Sequence, residues 1–154
     1  MATLHKIGRR QRGIALVETV IVTPVLLFLV MLTAEITNAF VDHNTLTKYT
    51  RNAARYLSAN ALIGSTGTVS ITAPLITDTR NLAVYGNTTG AGTPILSGLT
   101  PGSVQVLDIG GNNIQVTVTY PYTGLLGGTL PNFGFGPASN LTMNLQATVA
   151  MRAL

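Results

Sequence analysis

Gly13 and Glu18 are the residues of this chain whose type and spacing point to chemistry. The glycine closes a basic cluster, HKIGRRQRG, and Ile14 follows it. Glu18 then lies five positions after Gly13, inside the apolar run IALVETVIVTPVLLFLVMLTA. A carboxylate inside an apolar segment of membrane length costs about 2.5–3.5 kcal/mol on insertion scales, so its presence argues for a role. Other chemistry is poorly supplied. The chain has no cysteine, hence no disulfide framework, thiolate metal site or cysteine nucleophile. Its two histidines, His5 and His43, fall on opposite sides of the apolar run and do not make a histidine metal site within one chain. No phosphate loop, dinucleotide glycine fingerprint, HExxH or GxSxG occurs. Asp78 and Asp108 are the only acids after Gly64. The expectation is no catalytic residue, no metal and no cofactor.

The charges sort by position. The net +4 of the 154 residues comes from Lys6, Arg9, Arg10 and Arg12, all ahead of Gly13. Past Gly13, Lys48, Arg51, Arg55, Arg80 and Arg152 balance Glu18, Glu35, Asp42, Asp78 and Asp108. The basicity therefore belongs to a leader at 1–13, and it does not argue for a nucleic-acid partner.

Residues 14–34 carry one charge and reach about 30 Å as a helix, enough to cross the hydrocarbon core of a bilayer. Bases before the run and mixed charges after it place the N-terminus in the cytoplasm and the remainder outside by the positive-inside rule. A cleaved secretory signal has a shorter apolar core, of about 7–15 residues, and no carboxylate near its start. A plain uncleaved anchor satisfies the same composition. Pro24 removes one backbone hydrogen bond, which predicts a kink that Thr19, Thr23 or a neighbouring helix would relieve by satisfying the freed carbonyl.

No Gly or Pro interrupts residues 35–61, and Ile36, Ala39, Phe40, His43, Leu46, Thr47, Thr50, Ala53, Ala54, Leu57 and Ala61 recur at helical steps. This predicts an amphipathic stem packed through Phe40, Leu46, Ala53, Ala54 and Leu57, with small residues that let a sheet approach closely. His43 reads as a packing histidine, and Lys48, Arg51 and Arg55 as a solvated face.

At Gly64 the composition turns to Gly, Thr, Ser, Asn and β-branched residues, so 62–154 reads as a β-rich extracytoplasmic domain. LTMNLQATVAMR alternates in period two, and SVQVLDI and NIQVTVTY are separated by GGN, a hairpin composition. Weaker strands are expected at 69–73 and 81–85. The fold class is α+β: a long N-terminal helix packed on a small, mostly antiparallel sheet of four or five strands. Leu125, Leu126, Leu130, Phe133 and Phe135 sit in a glycine-rich stretch that reads as a flap over the sheet edge or as a contact loop for a partner.

RRQRGIALVETVIVTPVLL resembles the N-terminus of the TadE-like minor pseudopilins of the tight-adherence (Tad/Flp, type IVc) pilus system, and TRNAARYLSANA resembles the end of their helix. The closing MRA looks like the family's final strand. Thr19 stands where that family usually has an aromatic, and Ile14 where type II secretion pseudopilins favour Phe. The resemblance implies a pilin-like fold and cleavage by a prepilin peptidase between Gly13 and Ile14. It also implies pairing of Glu18, then the fifth residue, with the new amine at Ile14 of a neighbouring subunit. Its implied partners are the bacterial inner membrane, the peptidase and other pilins and pseudopilins of the same system. The implied role is structural, in initiating, tipping or regulating a surface pilus. The competing reading is a membrane-anchored extracytoplasmic binding module outside any pilus.

Overall fold

The computed structural model describes residues 8–62, 67–124, 127–130, 137, 139–140 and 142–154, with the backbone alone at 8–12, 130 and 139. Two compact units are present, Met1–Thr37 and Asn38–Leu154.

The first unit holds the N-terminal part of helix α1, which spans Gly8–Asn60 with Pro24 inside it. Apolar side chains from Ile14 to Val30 are exposed around it, and its most apolar 18-residue window has a mean hydropathy of 2.5. A helix apolar on all sides needs lipid or protein around it. The threonines in this stretch satisfy themselves: Thr19 Oγ1 donates to Ala15 O at 2.8 Å, Thr23 to Thr19 O at 2.7 Å, and Thr33 to Leu29 O at 2.8 Å. Neither Thr19 nor Thr23 serves the carbonyl that Pro24 frees, which belongs to Val20. Thr23 bonds the carbonyl four residues back, Thr19 O, one position beyond Val20 O.

The second unit is built on the rest of α1. Ala39, Leu46, Thr50, Ala53, Ala54 and Leu57 are buried at 0–8% exposure. Phe40 does not join them and remains 65% exposed. The buried stripe is centred on Ala39 and Leu46, and Phe40 is turned about 100° from Ala39 around the axis.

Helix α2, Ala73–Tyr85, stands where a weak strand is expected at 81–85, and the strand expected at 69–73 does not form ahead of it. Pro74 occupies its first turn, and Gly86 closes it at φ 74°, where the Gly86 N–H donates to Leu82 O. Leu75, Thr79 and Ala83, one turn apart, are its buried face. Residue 69 makes a single bridge to Leu62 before the helix begins.

A short 3-10 turn, Pro101–Ser103, leads into strand β1, Val104–Gly110, which pairs antiparallel with β2, Asn113–Tyr122. Gly111 and Asn112 at φ 63° and 61° make the turn between them, a conformation that Gly and Asn tolerate best. β3 and β4, Thr129–Leu130 and Ser139–Asn140, form a separate two-stranded pair. β5, Met143–Arg152, pairs antiparallel with β2 and gives the order β1-β2-β5.

The register lines up Val106, Val116 and Val149 in one cross-strand row and Val104, Val118 and Ala147 in the next. These rows form one core cluster with Leu46, Ala53 and Leu57 of α1 and Val84 of α2. A fully buried Val or Leu contributes about 1.5–3 kcal/mol relative to an exposed one, so this shared face carries the unit. On the other face Thr117 and Thr148 hydroxyls meet at 3.1 Å, and Gln115 Nε2 donates to Thr117 Oγ1 at 3.2 Å.

Candidate functional site

Gly13, Ile14 and Glu18 lie on successive turns near the N-terminal end of α1, all exposed. With Val17 and Ile21 they line a shallow depression on the helix. Glu18 presents its carboxylate from an otherwise apolar surface, where Ile14, Val17 and Ile21 are each more than 60% exposed. Gly13 is informative for what it lacks. A Cβ built there meets nothing within 4 Å, and its backbone is ordinary helix. Glycine in a helix interior costs about 1 kcal/mol relative to alanine, and no packing at Gly13 repays it.

Pro24 is exposed within α1. Leu46, Ala53, Ala54 and Leu57 are in the core cluster, and Phe40 is outside it. His43 is half-buried, and its carbonyl accepts from Thr47 Oγ1 at 2.8 Å. Of the apolar loop residues, Leu125, Leu126, Phe133 and Phe135 lie outside the described residues, and only the backbone of Leu130 is described, in β3. Asp78 and Asp108 are committed elsewhere: Asp78 accepts from Tyr56, and Asp108 Oδ1 accepts from Gly110 N at 2.8 Å in the β1 bulge. Among the described residues no cluster of His, Cys, Asp or Glu could hold a metal ion.

Two polar features carry little signal in the sequence. Glu35 is buried at 6% exposure. Its signal is spacing, four residues before Ala39 and eleven before Leu46 on the same helical stripe. The second is a polar seam of the second unit. Asn38 Nδ2 donates to the Tyr122 hydroxyl at 3.3 Å, and the Tyr120 hydroxyl donates to Ser97 O at 3.2 Å. Burial raises the Asp42 carboxyl above its usual value; burial, and then the charge of Asp42, raise the Tyr120 phenol.

An exposed carboxylate in an apolar helix, five residues after a glycine that nothing in the packing requires, is the geometry at hand. The family model described as TadE-like protein matches residues 13–55. The chain carries a TadE-like segment. This TadE-like segment begins at Gly13, includes Ile14, Glu18 and Pro24, and runs to Arg55 on α1. It takes in Leu46, Ala53 and Ala54 of the buried face. Residues 56–154, with α2 and all five strands, lie beyond it. The match is consistent with a TadE-like protein of the Tad pilus system, a pilin-like family that is structural rather than catalytic. Among the described residues one helix is long and apolar enough to cross a membrane, which fits a single-pass anchor. No curated protein and no solved structure matches the chain significantly.

Proposed function

We propose that this chain is a minor pseudopilin, a structural component that initiates, tips or regulates assembly of a tight-adherence pilus. The observation that carries the reading is the TadE-like match starting at Gly13, a glycine for which the fold gives no steric reason. A peptidase that cuts after glycine supplies the missing reason. Residues 1–13 are then a basic leader that stays in the cytoplasm, 14–34 the inner-membrane span, 35–61 the stem and 62–154 the extracytoplasmic domain. Prepilin peptidase cleaves between Gly13 and Ile14.

Cleavage creates an ammonium on Ile14, and Glu18 is its carboxylate counterpart. On one straight helix the two groups are a turn apart, and each is costly alone in lipid; pairing the amine of one subunit with Glu18 of the next sets each charge against its counterion and offsets that cost. Leu46, Ala53, Ala54 and Leu57 hold the stem to the β domain. Other pilins and pseudopilins of the same system are the partners.

Mass spectrometry of the membrane-extracted protein tests the reading. A mature N-terminus at Ile14, lost in Gly13→Arg, is the expected result. An intact leader, or a new N-terminus near Ala34 or Ala39, would overturn it.

A further inference from the structure

The three-stranded sheet of the second unit has two edges, and they are finished differently. Along β1 the outer edge is closed at both ends: Arg80 Nε of α2 donates to Val104 O at 3.1 Å, and Asp108 Oδ1 accepts from Gly110 N at 2.8 Å, where the register with β2 shifts. Helix α2 also packs against β1. Charges, bulges and covering helices are the devices by which sheets keep an edge from pairing. β5 carries none of them. Its register with β2 is unbroken from Met143 to Arg152, it has no Gly or Pro, and its one charge is Arg152 at the end. Ala153 N donates to Asn112 O in line with that register, so the odd-numbered residues of β5 turn their backbone groups to β2 and the even-numbered ones turn theirs outward. Asn144, Gln146, Thr148, Ala150 and Arg152 are all exposed, whereas Thr117, with a strand on each side, is 6% exposed.

We propose that β5 is a pairing strand and that its occupant is β5 of a second copy of this chain, antiparallel about a two-fold axis through Thr148. Three considerations select that partner. The first is charge. Antiparallel pairing sets each Arg152 against Asn144 of the other copy, whereas a parallel, in-register pair would stack Arg152 on Arg152. The second is the core face. Ala147 comes opposite Val149 of the other copy, so the row Val104, Val118, Ala147 continues into Val149, Val116, Val106. Val149 and Met151, half-buried in one copy, meet Ala147 and Leu145 of the other across the axis. The third is the opposite face. Gln105, Thr117 and Thr148 form one row, the two threonine hydroxyls 3.1 Å apart, and the axis sets Thr148 beside Thr148 of the second copy. A foreign strand would have to supply apolar and polar rows in this alternation; a second copy supplies them by symmetry. One strand edge is a small interface, so pairing builds with concentration. It involves the second unit alone and does not depend on the pilus reading.

The absence of native cysteine makes the test direct. Gln105→Cys and Arg152→Cys variants of the full chain, each carrying a nitroxide, are measured in detergent micelles by pulsed dipolar spectroscopy over a range of protein-to-detergent ratios. The expected backbone separations are about 24 Å between the two copies at 105, the width of about five strand spacings, and about 27 Å at 152, the length of strand from 144 to 152. Ala150→Pro removes an outward N–H without touching the β2 ladder, and Thr148→Lys sets two ammonium groups on the axis. Each should abolish both distances while circular dichroism and the unfolding midpoint show a folded second unit; should one variant not fold, the other carries the test. A monomer across the whole range of ratios would overturn the proposal. So would strong dipolar broadening at 152, the mark of a parallel pair. Distances that persist in either folded variant would overturn it as well, since the copies would then meet through another surface.

Discussion

The Tyr56 hydroxyl donates to Asp78 Oδ2 at 3.3 Å, joining the stem part of α1 to α2 across the second unit. Burial, and then the Asp78 charge and this hydrogen bond, raise the Tyr56 phenol above its ordinary 10.0. A group whose folded value is raised contributes stability that is fully present below its unfolded value and is lost as pH rises through the folded one. Tyr56→Phe should therefore cost about 1 kcal/mol at pH 7. Its deficit should shrink as pH rises above about 10, because the wild type then loses the contact that the variant never had. Thermal unfolding of both forms from pH 7 to 11 checks this; a constant gap would contradict it.

Leu57 and Phe40 make a contrasting pair on one helix. Leu57 is fully buried, so Leu57→Ala should cost about 2–5 kcal/mol. Phe40→Ala, at an exposed position, should stay within about 0.5 kcal/mol in detergent. Chemical denaturation followed by tyrosine fluorescence measures both.

Gly13→Arg should leave the second unit unchanged, since a Cβ at 13 meets no neighbour within 4 Å and the position is exposed. Its effect should be confined to processing. Leader-bearing protein should accumulate in the membrane while circular dichroism and unfolding midpoint match the wild type. A shifted midpoint would show a structural role for the glycine.

Glu18→Ala should be processed and membrane-inserted as well as the wild type, having lost a charge that costs about 2.5–3.5 kcal/mol in lipid. It should fail in assembly. Normal pilus formation by this variant in a cell without the wild-type copy would remove the pairing role. Glu18→Gln, which keeps shape but not charge, should behave as the alanine variant if the charge is what matters.

Where the sequence carried a clean period, the structure follows it. Ile114, Val116, Val118 and Tyr120 alternate in β2 as their spacing implies, and Leu145 and Ala147 do so in β5. Helix α2 was illegible as a helix because its interior is rich in Thr, Asn and β-branched residues, which score as strand or turn. Its punctuation, Pro74 in the first turn and Gly86 after the last, was the better guide. Phe40 shows the limit of a stripe read by eye: Ala39 and Phe40 both fit a three- or four-residue step, and only the core's direction separates them. The roles proposed for Gly13 and Glu18 rest on spacing alone, because both residues lie in an exposed segment where no packing contributes. Glu35 was harder, since an acid at the end of an apolar run reads first as a boundary.

Leu154 N donates to Ser58 O at 2.9 Å, and Ala153 N donates to Asn112 O at 2.8 Å. The stem's Ser58 is thus tied to a residue made 96 positions later. For a chain synthesised N-terminus first at about 5–20 residues per second, Leu46, Ala53 and Leu57 wait on the order of 5–20 s before their sheet arrives. The buried side of the stem is uncovered throughout that interval. Premature stem-to-stem association is the hazard this topology creates.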